Sequence, residues 1–285
     1  MPELPEVESL RRSLEPRLVG GTVTDARLLR ADVCSPLARP IAARASALLH
    51  HATIASLERR GKQLAIVAHD GRCLIIQLGM TGQVLLLDDP AAISFHTHVH
   101  ALWTVDRDTT MLFRDPRRFG GLRPVPSREQ LDTVAWKDLG PDALAVQGHD
   151  LLRAAGRSAR PVKSVLLDQA VLAGVGNIYA DESLFLAKLH PLAQARDLGE
   201  RQWDTLAQCV RDVLRDAIAQ GGSTLRDYVD ALGRSGSATE SHRVYGRRDL
   251  PCLSCGTPLA HTVLSQRATV WCPHCQPVPA HPRRR

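Results

Sequence analysis

Residues 63–78 read QLAIVAHDGRCLIIQL, which is two apolar runs on either side of the dipeptide Asp70-Gly71. Asp-Gly is a strong signal for the tight turn that joins two antiparallel strands, because both turn positions adopt positive φ angles readily. Each apolar run has the length of one strand. The stretch therefore predicts a β-hairpin, and it favours an antiparallel sheet.

Further runs of strand length lie on both sides of this hairpin, between Thr22 and Phe113. They read TVTDARLL, ATIASLERR, QVLLLD, HVHALWTV and TMLF, and turn residues separate them. Several short, closely spaced strands are typical of an antiparallel sandwich or of a barrel. The pattern predicts one of these two architectures for the N-terminal part of the chain.

The pattern changes after Pro124. Residues 126–145 are polar and rich in loop signals, which indicates a linker or short helices. Residues 200–220 then show the clearest helical spacing, with one apolar stripe made of Trp203, Leu206, Val210, Val213, Leu214 and Ile218. Such a stripe predicts a helix that packs on a core, so the C-terminal part is expected to be helical.

Composition limits the classes of partner and compartment. The chain has 285 residues and a formal net charge of +6, and its pI of about 9.2 favours an anionic partner such as nucleic acid. No apolar run approaches the roughly 20 residues that span a bilayer. The acidic N-terminus lacks the features of a signal peptide, so a cytoplasmic location is expected.

Four of the seven cysteines form two matched pairs, Cys252-Leu-Ser-Cys255 and Cys272-Pro-His-Cys275, with 16 residues between them. This spacing is typical of a structural zinc site with four thiolate ligands, and the intervening segment has room for a hairpin. A redox-active dithiol or a chance pattern is the alternative. Gln266 and Arg267 lie in the second half of the predicted hairpin, where an arginine can clamp a phosphate or simply face solvent.

A glycine-rich corner, LAGVGNIYADE, places Gly174, Gly176 and Asn177 between two helical patterns. A tight helix–turn–helix corner needs no more than the glycines. If the second helix begins at Asn177, its free N–H groups can also bind a phosphate. The corner does not follow a strand and lacks the GxGxxG spacing, which disfavours a dinucleotide-binding fold.

Two loops of the N-terminal part carry apolar side chains that no core explains. FRDPRRFGG holds Arg117, Arg118 and Phe119, and LGMTG holds Met80 between two glycines. A solvated basic loop accounts for the arginines alone. Apolar side chains beside phosphate-binding arginines are typical of proteins that wedge open a stack of bases.

The chain begins MPELPEVESL. Helix capping explains Pro5, Glu6 and Glu8 but leaves Pro2 and Glu3 unexplained. Removal of Met1 would make Pro2 a terminal secondary amine, which is a nucleophile toward an aldehyde-level carbon and forms an iminium there. Glu3 can move a proton at the same carbon. A buried, capped terminus without chemistry is the alternative.

These motifs together resemble the bacterial formamidopyrimidine-DNA glycosylases over nearly the whole chain. The motifs are PELPEVE at 2–8, RRGK at 59–62, LGMTG at 78–82, DPRRFG at 115–120, GVGNIYADE at 174–182, QGGSTLRDY at 220–228, VYGR at 244–247, and the four cysteines with QRAT at 266–269. The related endonuclease VIII branch, which acts on other oxidised bases, is the alternative and is less similar, since glycine usually stands there at the position of Leu4.

The resemblance implies an α+β, multi-domain fold. An N-terminal antiparallel β-sandwich with the catalytic helix would span residues 1–125, a linker 126–145, a helix–two-turns–helix DNA-binding domain 146–245, a zinc-finger hairpin 246–276, and a disordered basic tail 277–285. It also implies an enzyme that excises 8-oxoguanine and formamidopyrimidines from damaged double-stranded DNA and cleaves the abasic site by β,δ-elimination. Such a protein would be a monomer with one zinc ion and no membrane contact, and would associate with the bacterial nucleoid.

The resemblance assigns roles one residue at a time. Pro2 matches the nucleophile, Glu3 the acid and Glu6 a supporting carboxylate, while Lys62 and Arg267 match the residues assigned to β- and δ-elimination. The residues that would contact DNA are His96, Arg160 and Asn177, together with Met80, Arg117 and Phe119, which would fill the space left by the flipped nucleotide. Arg160 matches only by approximate spacing.

One departure concerns the loop GRSGSATES at 233–241, since family members often carry an aromatic residue there and this chain has none between Tyr228 and Tyr245. There are two rival interpretations. A non-catalytic DNA-binding protein would predict loss of Pro2, Glu3 or Lys62, and this chain has all three. The other rival is a zinc-ribbon RNA-binding protein. The latter would not need an apolar wedge, and the aromatic content of 4% is low for a protein that stacks single-stranded bases.

Overall fold

The computed structural model describes residues 2–35, 45–106, 108–224 and 228–278. These residues divide into two compact units, which are 1–138 with 220–239, and 139–219 with 240–285. The expected boundaries group residues 220–239 with the helical domain, whereas the structure places them in the first unit. Most of the predicted basic tail, residues 279–285, lies outside the described residues.

The first unit begins with helix α1, Leu4–Leu18. Two four-stranded antiparallel sheets follow, with the strand orders β2-β3-β4-β8 and β1-β6-β7-β5. Their strands are β1 Val23–Leu28, β2 Ile54–Arg60, β3 Gln63–Ala68, β4 Cys73–Gln77, β5 Gln83–Leu87, β6 Val99–Val105, β7 Thr109–Arg114 and β8 Gly121–Val125. Two separate sheets make the unit a sandwich and exclude the barrel.

The predicted hairpin at 63–78 is confirmed. Strands β3 and β4 pair in antiparallel register with Ala65 opposite Ile75, and the Ala68 N–H donates to the Arg72 carbonyl across the turn at 2.9 Å. Apolar side chains of both sheets and of α1 share one core, in which the almost completely buried members include Leu10, Leu64, Trp103 and Phe113. Burial of one such side chain contributes about 1.5–3 kcal/mol, so this core fixes α1 on the sandwich.

Several short elements complete the first unit. These are 3₁₀ turns at Ala31–Val33, Pro90–Phe95 and Ala238–Ser241, helix α2 at Arg128–Gln130, and a π-helical turn at Leu131–Ala135. The Ala238–Ser241 turn runs past the boundary at Thr239. Arg128 forms an ion pair with Glu58 of β2, and the indole N–H of Trp136 donates to Gln63 of β3 at 2.9 Å. Much of the segment predicted as a linker is therefore attached to the first sheet.

The second unit contains helices and one hairpin. The helices are α3 Gly148–Ala155, α4 Val162–Leu166, α5 Asn177–Leu186 and α6 Glu200–Ala219, with a 3₁₀ turn at Ala195–Asp197. Helix α6 is the one that the stripe around Trp203 predicts. Strands β9 Ala260–Leu264 and β10 Arg267–Trp271 form the antiparallel hairpin, and a small core joins it to Phe185 of α5.

Within the described part of the chain, none of the helices combines the length and the apolar character needed to cross a membrane.

Candidate active site and nucleic-acid interface

The N-terminal end of α1 is buried and held by a carboxylate. Pro2 is buried, and Glu3 precedes the first helical residue with only 3% of its surface exposed. The backbone N–H of Glu3 donates to Oε2 of Glu6 at 2.7 Å. A side chain that satisfies a free N–H at the start of a helix fixes the direction in which the chain enters it. Pro2 and Glu3 therefore have one defined backbone position.

The other oxygen of Glu6 binds a distant segment of the first unit. Oε1 accepts the backbone N–H of Ser223 at 2.7 Å, and the hydroxyl of Tyr228 donates to the Glu6 carbonyl at 2.9 Å. The Ser13 hydroxyl accepts the N–H of Ala231 at 3.1 Å. Residues on both sides of 225–227 are thus fastened to α1, which explains why 220–239 belongs to the first unit.

Lys62 lies in the turn between β2 and β3 and is half-buried. The guanidinium of Arg59 donates to the Gly61 carbonyl at 3.0 Å and to Oε2 of Glu8 at 3.1 Å. Arg59 and Glu8 are both largely buried. The Glu8–Arg59 pair therefore attaches the turn that carries Lys62 to the helix that carries Glu6.

Glu8 is surrounded by cations. It accepts hydrogen bonds from Arg11, Arg12 and Arg59 at 2.8–3.1 Å. Burial alone would raise the pKa of Glu8, but the hydrogen bonds from Arg11 and Arg12 and the positive charges of Arg11 and Arg59 outweigh burial and lower the pKa to about 2. Glu8 is therefore a permanently charged anchor at neutral pH.

The three predicted wedge residues lie in two loops of the first unit. Met80 is 40% exposed and Phe119 is 55% exposed. The guanidinium carbon of Arg117 stands 4.6 Å from the centre of the Phe119 ring, which is a cation–π contact. The structure thus brings Arg117 and Phe119 together and leaves both apolar side chains accessible. His96 follows the Pro90–Phe95 turn and is half-buried.

In the second unit, Asn177 and the Arg267 hairpin meet. Asn177 is the first residue of α5, and its Nδ2 donates to the carbonyl of Ala268 at 2.9 Å. Arg267 is exposed at the start of β10, directly after a turn in which Ser265 and Gln266 have positive φ. Arg267 is thus exposed and is adjacent in the chain to the residue that the start of this ten-residue helix binds. An arginine and a helix N-terminus can each bind an anion.

Arg160 lies between α3 and α4, two residues before α4 begins at Val162. Its Nη1 is 2.9 Å from Oδ2 of Asp168, so the guanidinium already has an acidic partner. About half of the Arg160 side chain is exposed, so the guanidinium keeps further N–H groups that can contact a phosphate.

The sequence interpretation missed Lys163, which is completely buried in α4. Its ammonium lies 2.7 Å from Oδ1 of Asp181 and donates to the Ala268 carbonyl and the Thr269 hydroxyl at 2.9 and 2.8 Å. Burial raises the pKa of Asp181 to about 7, and the charge of Lys163 opposes that rise. The only sequence signal is a lysine among apolar residues in PVKSVLL.

Lys163 and Asn177 donate to the same carbonyl, that of Ala268. Asp181 also accepts the backbone N–H of Val270. Two helices thus hold strand β10 at the residue that follows Arg267, and this sets the position of the arginine.

The four predicted metal ligands form one cluster. The sulfur atoms of Cys252, Cys255, Cys272 and Cys275 all lie within 4.8 Å of one another. Three of the separations are 3.5, 3.6 and 4.0 Å, and a tetrahedral zinc ion with Zn–S bonds of about 2.3 Å requires about 3.8 Å. The donors therefore fit one structural zinc ion, which stabilises the hairpin that carries Arg267.

Three family models match the chain in order. The Formamidopyrimidine-DNA glycosylase N-terminal domain matches residues 1–122, the Formamidopyrimidine-DNA glycosylase H2TH domain matches 139–229, and the zinc finger found in FPG and IleRS matches 249–278. These matches confirm the predicted zinc finger and the predicted family.

Curated relatives match over nearly the full length. The formamidopyrimidine-DNA glycosylase of Stenotrophomonas maltophilia strain K279a is 42% identical over 279 residues, which are 97% of this chain and 100% of that protein. The corresponding protein of Desulforamulus reducens is 38% identical, with 97% of this chain and 99% of that protein covered.

Solved structures agree. The MutM (FPG) protein of Thermus thermophilus superposes with a TM-score of 0.83 at 38% identity, covering 96% of this chain and 98% of that one. The Lactococcus lactis Fpg protein in complex with DNA that contains an abasic site superposes with a TM-score of 0.86 at 32% identity, covering 97% and 100%. This chain therefore belongs to the formamidopyrimidine-DNA glycosylase family.

Proposed function

We propose that this protein is a base-excision repair enzyme that removes oxidised purines, chiefly 8-oxoguanine and formamidopyrimidines, from duplex DNA and then cleaves the abasic site by β,δ-elimination. The observation that carries the proposal is the buried N-terminus of α1, where the imino acid Pro2 stands beside the buried carboxylate of Glu3. Solved relatives have been crystallised with DNA that contains Fapy-dG or an abasic site, which matches this substrate.

The chemistry begins at Pro2. After removal of Met1, its secondary amine has a reference pKa near 8, so a useful fraction is neutral at cellular pH. The nitrogen lone pair attacks the sugar C1′, the bond from C1′ to the base breaks, and the base leaves with its bonding electrons. Opening of the sugar ring gives an iminium between Pro2 and C1′, which acts as an electron sink for the two eliminations.

Glu3 supplies the proton movements near this carbon. It delivers a proton to the ring oxygen as the ring opens, and the proton that the Pro2 nitrogen releases on forming its bond to C1′ neutralises the departing base. Glu6 does not need to touch the substrate for its part, because it holds the backbone N–H of Glu3 at 2.7 Å. We assign Glu6 as the residue that positions Pro2 and Glu3.

Positive and amide groups bind the DNA backbone. In this proposal Lys62 binds near the phosphate of the lesion and promotes β-elimination, while Arg267 contacts a phosphate and promotes δ-elimination. Asn177, His96 and Arg160 add further backbone contacts. The exposed guanidinium of Arg267 and the start of α5 support this assignment.

Met80, Arg117 and Phe119 fill the space that the flipped nucleotide leaves. Arg117 faces the orphaned cytosine, which would favour lesions opposite C through hydrogen bonds to the base edge. The exposure of Met80 and Phe119 supports a wedge, because both apolar side chains lie on the surface, where they add little to the hydrophobic core and can enter a base stack.

We further propose that the protein acts as a monomer and meets its substrate in the nucleoid of the bacterial cytoplasm. The net charge of +6 supports association with DNA. Light scattering of the free protein tests the monomeric state.

The proposed function is tested by strand cleavage of an 8-oxoguanine·C duplex. We expect excision followed by both elimination products. Glu3→Gln, which keeps the shape and removes the transferable proton, should still bind the duplex and fail to excise. Excision of oxidised pyrimidines alone would instead support the endonuclease VIII-like alternative. The missing aromatic residue in 233–241 is the departure from the family pattern that makes this comparison of substrates necessary. Retention of full excision by Glu3→Gln would contradict the proposed role.

A further inference from the structure

We propose that Asp115 is a positioning residue for the insertion of Met80, Arg117 and Phe119 into the DNA base stack. One buried carboxylate joins the loop that carries Met80 to the loop that carries Arg117 and Phe119. This inference rests on the proposed function of those three side chains. Asp115 itself is completely buried and cannot contact DNA directly.

The carboxylate of Asp115 receives donors from both loops. Its Oδ1 accepts the hydroxyl of Thr81 at 2.5 Å and the backbone N–H of Arg117 at 3.2 Å. Its Oδ2 accepts the backbone N–H of Gly120 at 2.7 Å. Thr81 follows Met80, and Gly120 follows Phe119, so each apolar side chain stands next to a residue that Asp115 holds.

The backbone of Asp115 is fixed in turn by the neighbouring strand. The ring N–H at Nε2 of His100 donates to the Asp115 carbonyl at 2.8 Å, and the Asp115 N–H donates to the His98 carbonyl at 3.1 Å. His100 is buried in β6. The carboxylate therefore stands on a backbone that is anchored to the sandwich, and its hydrogen bonds extend that rigidity into two exposed loops.

The two loops also approach so closely that only glycine fits at the contact. A Cβ atom at Gly79 would lie 2.3 Å from the Phe119 carbonyl carbon, and one at Gly120 would lie 2.4 Å from the Gln77 oxygen. The backbones beside Met80 and Phe119 are thus in direct contact. Asp115 fixes the loops in this contact, so Met80 and the Arg117–Phe119 pair form one wedge of set spacing.

A wedge of set spacing matters for one step in particular. Opening a base stack requires apolar side chains that are held in fixed positions, since unstacking costs a few kcal/mol per step. Arg117 must also keep its orientation toward the orphaned base if it is to distinguish cytosine from adenine. Loss of the Asp115 contacts should therefore weaken insertion and partner-base discrimination, while the chemistry at Pro2 continues.

The test uses Thr81→Val, Asp115→Asn and a matched control, Thr110→Val, which removes another buried hydroxyl from the same sandwich. Two quantities are measured for each, and the fluorescence change of 2-aminopurine in the duplex is recorded beside them. The first is the ratio of kcat/KM for 8-oxoguanine opposite C to that opposite A. The second is borohydride trapping on a single-stranded abasic oligonucleotide, which has no partner base.

We expect Thr81→Val and Asp115→Asn to lower the C-over-A ratio at least fivefold and to reduce the 2-aminopurine fluorescence change that reports unstacking. Trapping on the single strand should stay within twofold of the parent, and Thr110→Val should change neither quantity. If Asp115→Asn fails to fold, Thr81→Val carries the test, because it deletes one hydroxyl only.

The inference is overturned if both variants keep the parent's ratio within twofold, or if single-strand trapping falls as much as the ratio does. Failure of the proposed function looks different, since the parent protein itself would then show neither excision nor trapping.

Discussion

The carboxylate of Glu6 accepts the backbone N–H of Ser223 at 2.7 Å, although 217 positions separate the two residues in the chain. The same carboxylate holds the N–H of Glu3. One side chain therefore connects the start of α1, where Pro2 and Glu3 lie, with the segment 220–239 of the same unit.

Glu6→Gln should loosen the segment around Ser223. Two N–H groups point at the two oxygens of Glu6, and an amide offers only one oxygen, so one buried N–H would lose its acceptor at a cost of about 1–3 kcal/mol. We expect faster amide hydrogen exchange in the peptide that contains Ser223, and slower excision of 8-oxoguanine.

The matched control is Glu15→Gln on the same helix, where the side chain is 45% exposed. It should leave the exchange at Ser223 unchanged. Equal exchange in the parent and in Glu6→Gln would show that this contact does not hold the segment.

Acid should destabilise the first unit through Glu8. The pKa of Glu8 is lowered from 4.5 to about 2 in the folded protein, so its contribution to stability is complete above about pH 4.5 and is lost as the pH falls toward 2. We expect this contribution to be about 1–2 kcal/mol after screening by solvent. Thermal melting between pH 2 and pH 7 measures it.

Glu8→Gln should have a lower melting temperature than the parent at pH 7, and the difference should shrink on acidification. A difference that stays constant from pH 7 to pH 2 would contradict the assigned ionisation of Glu8.

Lys163→Met should destabilise the second unit by about 3–5 kcal/mol, because it leaves the carboxylate of Asp181 buried without its cation. Lys188→Met, at an exposed lysine in the same unit, serves as the control. Denaturant unfolding followed by tryptophan fluorescence is the measurement, since Trp271 lies in β10.

The double variant Lys163→Met/Asp181→Leu separates stability from positioning. Removal of both charges should recover much of the stability, but the hydrogen bond from Lys163 to the Ala268 carbonyl is still lost and only the one from Asn177 remains, so affinity for DNA should remain reduced. Full recovery of affinity together with stability would show that Lys163 does not position the Arg267 hairpin.

Zinc removal should act on the second unit and spare the first. Elemental analysis should find one zinc ion per chain. Cys252→Ala should lower the affinity for DNA markedly, whereas the melting temperature of the sandwich should change little. A metal-free protein with the DNA affinity and activity of the parent would contradict the role of the zinc hairpin.

Local patterns predicted much of this molecule. The hairpin around Asp70-Gly71, the helix around Trp203 and the two cysteine pairs each depend on residues close together in sequence, and the structure contains all three. The contacts of the buried charged side chains were not predictable in this way. Helix capping and the family resemblance point to Glu6 but not to its partner Ser223, and no local pattern names the partners of Asp115 or Lys163. Only the folded chain brings these partners together from distant positions. The return of 220–239 to the first unit has the same cause, because it depends on hydrogen bonds to Glu6 and Ser13 that no local pattern encodes.

The most direct test of the account is to locate the covalent adduct. The protein is incubated with an 8-oxoguanine·C duplex and sodium borohydride, digested, and analysed by peptide mass mapping, beside a variant in which Met1 is retained. The account predicts an adduct on Pro2 in the processed protein and none in the variant, because a residue ahead of Pro2 turns its amine into an unreactive amide. An adduct on a lysine, or equal cleavage by the protein that keeps Met1, would contradict it.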